Sequence, residues 1–460
     1  MERLGPMDAS FLYIENEFNH MSIAMLSIFE GPPPGEAAIE KMVASSLDRM
    51  PRLRQRLRFV PMDMGRPLWC DDPHFSLRYH LRHSALPQPG SDEQLQALMG
   101  RVMSQQLDRD RPLWELWLVD GLIDGSWAML LKIHHSVADG VAAAELMVEL
   151  LDAKPRVRRR KPAPWTPEEQ PTPAELARQA VKEQLGSPRR VLDTLQGAIS
   201  KPKEAARQAS EFFDGVLSMR RPTSLEVESS LNGPIGVQRS WRWVSCSLSD
   251  TKRIRSSHGC TVNDVVLAVI TEGFRALLVS RGEPIEDHVV RTMVPVSVRQ
   301  KDEHNVTNNR VSAIYVELPV GIGDPLERLA NIHEQTRQLK AHHQAQAADM
   351  MMSLSVLSPA ALMATGTRFV GSHDMNTFQT IATNVPGPRE ALYAAGCKLR
   401  TVYLYVPITS GVRMGVAIFS YEDELTFAVT GDYDSAPDTG VLCSGIKQGT
   451  EDLLALTPVE

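Results

Sequence analysis

Residues 134–140 read His-His-Ser-Val-Ala-Asp-Gly, and what flanks them restricts the local fold sharply. Residues 128–133 form a mainly apolar run too short for an ordinary helix, whereas residues 141–151 carry helical periodicity. The chain must therefore pass from strand through a short loop into a helix. The two histidines fall at the C-terminal end of the strand, and Asp139 or Gly140 falls near the helix cap. Upstream, residues 113–119 and 127–133 flank Asp124-Gly125, a strong turn pair, so the histidine strand is expected to be one arm of a hairpin.

A histidine at a strand end, with Asp and Gly four and five residues on, has the layout of a positioned general base. If both histidines continue the strand, their imidazoles point to opposite faces, so only one can face a given cleft. A metal shared by the pair is then geometrically awkward, and no metal site is expected. An imidazole titrates near neutrality and contributes about 10² to 10⁴ in rate as a general base. Asp139 would hold the loop after the strand, through an Arg, and so fix the imidazole. The plainer alternative, two satisfied core histidines, leaves Asp139 and Gly140 unexplained. Other catalytic patterns are weak. There is no G-x-S-x-G elbow, and the contiguous Ser372-His373-Asp374 cannot fold back into a triad. Phosphate-binding G-x-x-x-x-G-K and dinucleotide G-x-G-x-x-G motifs are also missing.

With 460 residues, 43% of them hydrophobic, the chain suits two globular domains of about 200 residues each. A net charge of −7 offers no general attraction to nucleic acid. Five scattered cysteines without a C-x-x-C pair argue against a disulfide framework and for a reducing compartment. The first 29 residues carry acidic residues within their apolar pattern, unlike a signal peptide, and no apolar run reaches 18 residues. A cytoplasmic location is expected, with peripheral membrane contact still open.

Composition changes after Asp152. Lys154, Arg156, Arg158, Arg159, Arg160 and Lys161 precede five prolines between 162 and 173, the signature of a linker. Residues 175–219 read as one or two basic amphipathic crossover helices. A second strand-and-helix series begins near Trp241, with helices at 250–257, 263–280 and 325–347, strands at 291–297 and 311–318, and a hairpin over 416–429. The expected organisation is an N-terminal domain at 1–152, a linker and crossover at 153–235, and a C-terminal domain at 236–460. Frequent hairpins favour α/β architecture with mixed sheets over a doubly wound parallel sheet.

The 134–140 motif resembles the signature shared by coenzyme A-dependent acyltransferases and peptide-synthetase condensation domains. More of the chain narrows the resemblance. Met7-Asp8-Ala9-Ser10-Phe11-Leu12 with His20-Met21, the segment Tyr79 to Pro87, Arg111-Pro112-Leu113-Trp114-Glu115, Asn263-Asp264, Pro295 to Arg299, and Thr383-Asn384-Val385-Pro386-Gly387-Pro388 occur in this order. Together they resemble the bacterial wax ester synthase/diacylglycerol acyltransferase family. Asn308-Asn309-Arg310 stands where Gly-Asn-Arg is commoner, and Thr383 where Ser is usual. The resemblance implies two chloramphenicol-acetyltransferase-like domains with an active-site tunnel between them. It implies transfer of a long-chain acyl group from acyl-CoA to diacylglycerol or a fatty alcohol, with His135 as base and His134 supporting. Acyl-CoA is then a substrate, and no separate cofactor is implied. A membrane or lipid-body surface is the implied contact.

Each remaining candidate has a structural and a functional reading. Pro112, Leu113 and Trp114 either pack the core or shape the acyl tunnel. Asn263 fits a helix N-cap, and with Asp264 is otherwise a substrate contact. Arg299 is a surface residue or the partner of Asp139. Asn384, Pro386 and Gly387 form a rigid turn or line the tunnel. The basic run at 154–161 is a solvated linker, or attracts anionic lipid or the CoA phosphates. Met350-Met351-Met352 and the apolar residues to Met363 are core, or part of an acceptor channel. Two competing functions stay open: a non-catalytic lipid-binding protein on the same fold, and a condensation-type acyltransferase with another acceptor.

Overall fold

A computed structural model describes residues 2–156, 163–185, 229–297, 311–339 and 378–458. Two six-stranded sheets dominate. In the first, the spatial order is Tyr393–Ala394, Cys397–Tyr405, Ser22–Phe29, Trp127–His134, Trp114–Asp120 and Leu81–Ala85. Its neighbours are antiparallel except at the last pair, where Leu81–Ala85 runs parallel to Trp114–Asp120. The expected hairpin is present, with Trp114 opposite Ile133 and Gly125 supplying a positive φ at the turn. Ser22–Phe29 and Trp127–His134 are buried at every position, as befits central strands covered on both faces.

The second sheet runs Val311–Leu318, Val290–Ser297, Thr380–Pro386, Met414–Tyr421, Glu424–Asp432 and Arg239–Ser247. Thr380–Pro386 is parallel to both neighbours and the other pairs are antiparallel, which makes this sheet mixed as expected. The Val262–Ser280 and Thr439–Ala455 helices supply much of the apolar cover for its core.

The sheets do not divide where the sequence changes character. Cys397–Tyr405 comes from the second half, yet it pairs with Ser22–Phe29 and completes the first sheet, placing Val402 opposite Ser27. Boundaries at 152 and 236 therefore describe the order of segments in the chain, not the membership of each sheet. Part of the linker is ordered against the first half. The Pro173–Leu185 helix buries Leu176 and Ala180 with Val60, Leu68 and Cys70. A small sheet of Glu2–Arg3, Leu68–Asp71 and Gln55–Arg58 was not expected from the sequence.

The Glu36–Ser46 helix is followed by a separate 3-10 turn at Pro51–Arg54. One local reading needs correction. Asn384, Val385 and Pro386 are not a turn but the end of a strand, because they pair with Ile418, Phe419 and Ser420. Arg299, the 350–363 methionine-rich stretch, Ser372-His373-Asp374 and most of the basic crossover lie outside the described residues.

Candidate active site

The Trp127–His134 strand delivers His134 into the protein, and the chain turns at once. His135 N donates to Met21 O at 2.8 Å, and Val137 N donates to His134 O at 2.9 Å. Ser136 N donates to His134 Nδ1 at 3.0 Å, with Ser136 Oγ 2.7 Å from the same nitrogen. Because Nδ1 accepts from the backbone, the proton of a neutral His134 ring sits on Nε2. Three residues on, Asp139 caps the Gly140–Leu150 helix, its Oδ1 accepting from Ala142 N at 2.8 Å. The side chain is buried, so this cap satisfies an otherwise orphaned helix donor inside the protein.

His134 Nε2 lies 3.5 Å from Glu15 Oε2, and both side chains are almost completely buried. The same carboxylate oxygen accepts from Arg109 Nη2 at 2.6 Å and Nε at 3.1 Å. Its other oxygen accepts from Met21 N at 3.1 Å. Burial by itself would raise the Glu15 pKa; His134 and Arg109 outweigh it and bring the carboxyl down to about 2.

His135 has different neighbours. Its ring stacks on Phe11, with centroids 4.0 Å apart and planes 21° from parallel. Burial pushes its pKa down to about 4, against the opposing pull of its own backbone and the Asp139 carboxylate. At neutral pH the imidazole is therefore unprotonated and able to accept a proton. The strand ends at His134 and His135 begins the turn, so the alternation expected of a continued strand does not apply to the pair, whose rings nonetheless have separate partners.

The other candidates divide into those brought to the motif and those held elsewhere. Pro112, Leu113 and Trp114 are buried, and Leu113 O accepts from His134 N at 3.0 Å. Trp114 Nε1 donates to Leu53 O at 2.8 Å, while its indole stacks on His80 at 4.4 Å. These are core contacts that back the histidine turn. From the second half, Val385 packs on Gly140, and Asn384 Nδ2 reaches Asn263 Oδ1 at 3.4 Å. Val385 thus brings the second half of the chain to the motif, while Asn263 and Asn384 pair with each other.

Asn263 is not the N-cap anticipated for its helix. Thr261 is, in a reciprocal capping box: Asp264 N donates to Thr261 Oγ1 at 3.2 Å and Thr261 N donates to Asp264 Oδ2 at 2.8 Å. Asp264 also accepts from Thr336 Oγ1 at 2.6 Å and His333 Nδ1 at 2.8 Å. Burial would raise its pKa, but these donors hold it below the usual value. These partners all belong to the fold, joining the Val262–Ser280 helix to the helix over 325–339. Gly387 is required sterically, since a Cβ there would stand 2.2 Å from Ser420 O. Pro386 is exposed. Cavities of about 300 Å³ beside Glu36 and Trp127, and about 370 Å³ beside Glu93 and Arg400, border none of the residues around His135.

Phe11, Glu15 and Arg109 were not singled out from the sequence. Phe11 stood within a recognised opening segment, but no spacing rule ties residues 11, 15 and 109 to residue 134.

Comparison with known proteins agrees over most of the chain. The model of the wax ester synthase/diacylglycerol acyltransferase catalytic domain matches residues 4–266, and that of the WS/DGAT C-terminal domain matches residues 307–453. The chain is 36% identical over 459 residues to the probable diacylglycerol O-acyltransferase tgs1 of Mycobacterium tuberculosis, covering 99% of this chain and 96% of that one. In structure it is similar to the wax ester synthase/diacylglycerol acyltransferase of Marinobacter aquaeolei VT8, with a TM-score of 0.71, 23% identity and complete coverage of both chains. The first condensation domain of the calcium-dependent antibiotic synthetase shares the fold at a TM-score of 0.58 and 17% identity, covering 99% of this chain and 98% of that one.

Proposed function

Since this chain belongs to the wax ester synthase/diacylglycerol acyltransferase family, and so is an acyl-CoA-dependent O-acyltransferase, we propose that His135 is the base in its transfer step. The observation that carries this reading is the setting of His135: directly after a buried strand, its N bonded to Met21 O, its ring stacked on Phe11 and its loop closed by the Asp139-capped helix, with burial favouring the neutral ring.

The chemistry follows from that setting. His135 takes the proton of the acceptor hydroxyl as the oxygen attacks the thioester carbonyl. The new C–O bond forms a tetrahedral intermediate; its collapse breaks the C–S bond, and the imidazolium returns the proton to the departing CoA sulfur. The products are an ester and free CoA, with no net proton change. Asp139 favours the protonated imidazole electrostatically, which suits a ring that carries the proton for only part of the cycle. His134 supports the turn. The route treats acyl-CoA as substrate and calls on no separate cofactor or metal. Both substrates must be held together, so orientation supplies much of the acceleration. A tunnel between the two halves, with Arg299 as the partner of Asp139, is part of this reading.

Within the family's two products, triacylglycerol is the proposed principal one, supported by the name of the tgs1 relative, which matches nearly the full chain. The reading includes peripheral contact with a membrane or lipid-body surface on the cytoplasmic side, because diacylglycerol and its product reside in such phases. No helix among the described residues is long and apolar enough to cross a membrane. Met62, 82% exposed, and Phe59 offer an apolar loop tip between Arg58 and Arg66, a combination suited to an anionic lipid surface.

The test is CoA release from palmitoyl-CoA with diacylglycerol, a long-chain alcohol or no acceptor, with His135→Ala alongside. Acceptor-dependent release that disappears in the variant supports the mechanism and ranks the acceptors. Release that survives the substitution removes His135 from the mechanism. No release from folded protein with dispersed lipid acceptors would favour the lipid-binding alternative.

A further inference from the structure

The two histidines are gripped by one short stretch of chain. Phe11 lies in the Pro6–Ile14 helix and Glu15 is its C-cap, with Glu15 N still donating to Phe11 O at 3.2 Å. Residues four apart on a helix share a face. Phe11 covers the His135 ring at 4.0 Å, while Glu15 faces His134 Nε2 at 3.5 Å. Arg109 binds this helix end twice, through the Glu15 carboxylate and through Leu12 O at 3.1 Å. The clasp is therefore fixed from outside the helix as well.

We infer that the N-terminal helix is the positioning device for the catalytic imidazole, with Phe11 and Glu15 as its two positioning residues. The inference rests on His135 being the base. Phe11 acts on that ring directly, restricting its rotation and shielding one face from water. Glu15 acts through His134. By facing Nε2 it favours the tautomer whose Nδ1 is left to accept from Ser136 N. That bond closes the turn from which His135 projects, so a loose His134 would loosen the position of the base.

The groups that could confuse a pH measurement can be named. Asp139, from the helix cap, and His134 act on His135. Glu15 and Arg109 face His134, and His20 beyond them is influenced by Glu15 and Arg239. Of these, Phe11→Ala alters no charge. Its effect on an acidic limb therefore reports exposure of the ring.

The experiment compares wild type, Phe11→Ala, Phe11→Leu, Glu15→Gln and His135→Ala by CoA release across pH, with kcat and KM separated and folding checked by thermal melting. His135→Ala should abolish acceptor-dependent release. Phe11→Ala should move the acidic limb of kcat/KM upward by about one pH unit or more, toward the ordinary imidazole value, because desolvation is relieved. Phe11→Leu retains an apolar cover and should leave the limb near wild type. If Phe11→Ala does not fold, Phe11→Val should give a smaller shift in the same direction. Glu15→Gln should lower kcat by up to about 10²-fold, with KM for both substrates little changed, as expected when a reacting group is misplaced. An inactive His135→Ala together with an unmoved limb in the Phe11 variants and a wild-type kcat in Glu15→Gln would overturn the positioning role while leaving the base in place. An active His135→Ala would overturn the base itself.

Discussion

Gly140 of the histidine motif and Val385 of the second sheet are packed so closely that a Cβ on Gly140 would stand 3.1 Å from Val385 Cγ2. The glycine is thus a contact point between a helix start in the first half and a strand in the second. A branched side chain at 140 should push the two apart. Gly140→Val is expected to cost about 1–3 kcal/mol through overpacking and to lower activity with it. Adding Val385→Ala should restore part of both. Thermal melting and CoA release on the single and double variants check this; equal losses with and without Val385→Ala would show that the contact is not the cause.

Asp139 is a helix cap whatever else it does. Asp139→Ala should destabilise the protein by about 1 kcal/mol, and Asp139→Asn, which keeps an accepting oxygen, by less. Its charge also favours protonated His135. Asp139→Asn is therefore expected to recover stability more fully than kcat, and equal recovery of both would leave the cap as its whole contribution.

Acid should unfold this protein in two overlapping stages. His135 is depressed from 6.5 to about 4, so its contribution is complete above pH 6.5 and is lost as pH falls through about 4. Glu15 is depressed from 4.5 to about 2, so its contribution is complete above pH 4.5 and is lost as pH falls toward about 2. In both cases the unfolded chain binds the proton more readily. Urea denaturation from pH 7.5 to 3 should show stability falling over this range. His135→Gln should flatten the upper part and Glu15→Gln the lower part.

The buried Asp264 joins its own helix start to His333 and Thr336. Asp264→Ala removes the reciprocal cap and leaves those donors without a carboxylate, a loss of about 3 kcal/mol or more. The expected signature is a lower melting temperature with a nearly unchanged KM for material still folded at low temperature. A raised KM at unchanged stability would instead assign Asp264 to substrate binding.

If Met62 enters lipid, Met62→Glu should weaken flotation with vesicles containing anionic phospholipid and leave melting unchanged, since the side chain is 82% exposed. Release of CoA with a water-dispersed short-chain acceptor should stay at the wild-type rate. Flotation equal to wild type would exclude this loop tip as the attachment point.

Local pattern was enough to reveal the histidine strand, its hairpin partner, the following helix and most of the second-half elements, because alternation, helical periodicity and turn residues act over a few neighbours. It was also enough to single out His134, His135, Asp139 and Gly140 as one unit. Tertiary structure alone decided what surrounds them. Cys397–Tyr405 joins the first sheet by pairing with residues more than 350 positions away, and Asp264 turns out to be half of a capping box. Phe11, Glu15 and Arg109 reach the histidines only because a short N-terminal helix packs beneath the strand end. Burial there shifts the Glu15 carboxyl and the His135 imidazole in ways their neighbours then modify, and burial is a property of the folded neighbourhood rather than of any residue's place in the chain.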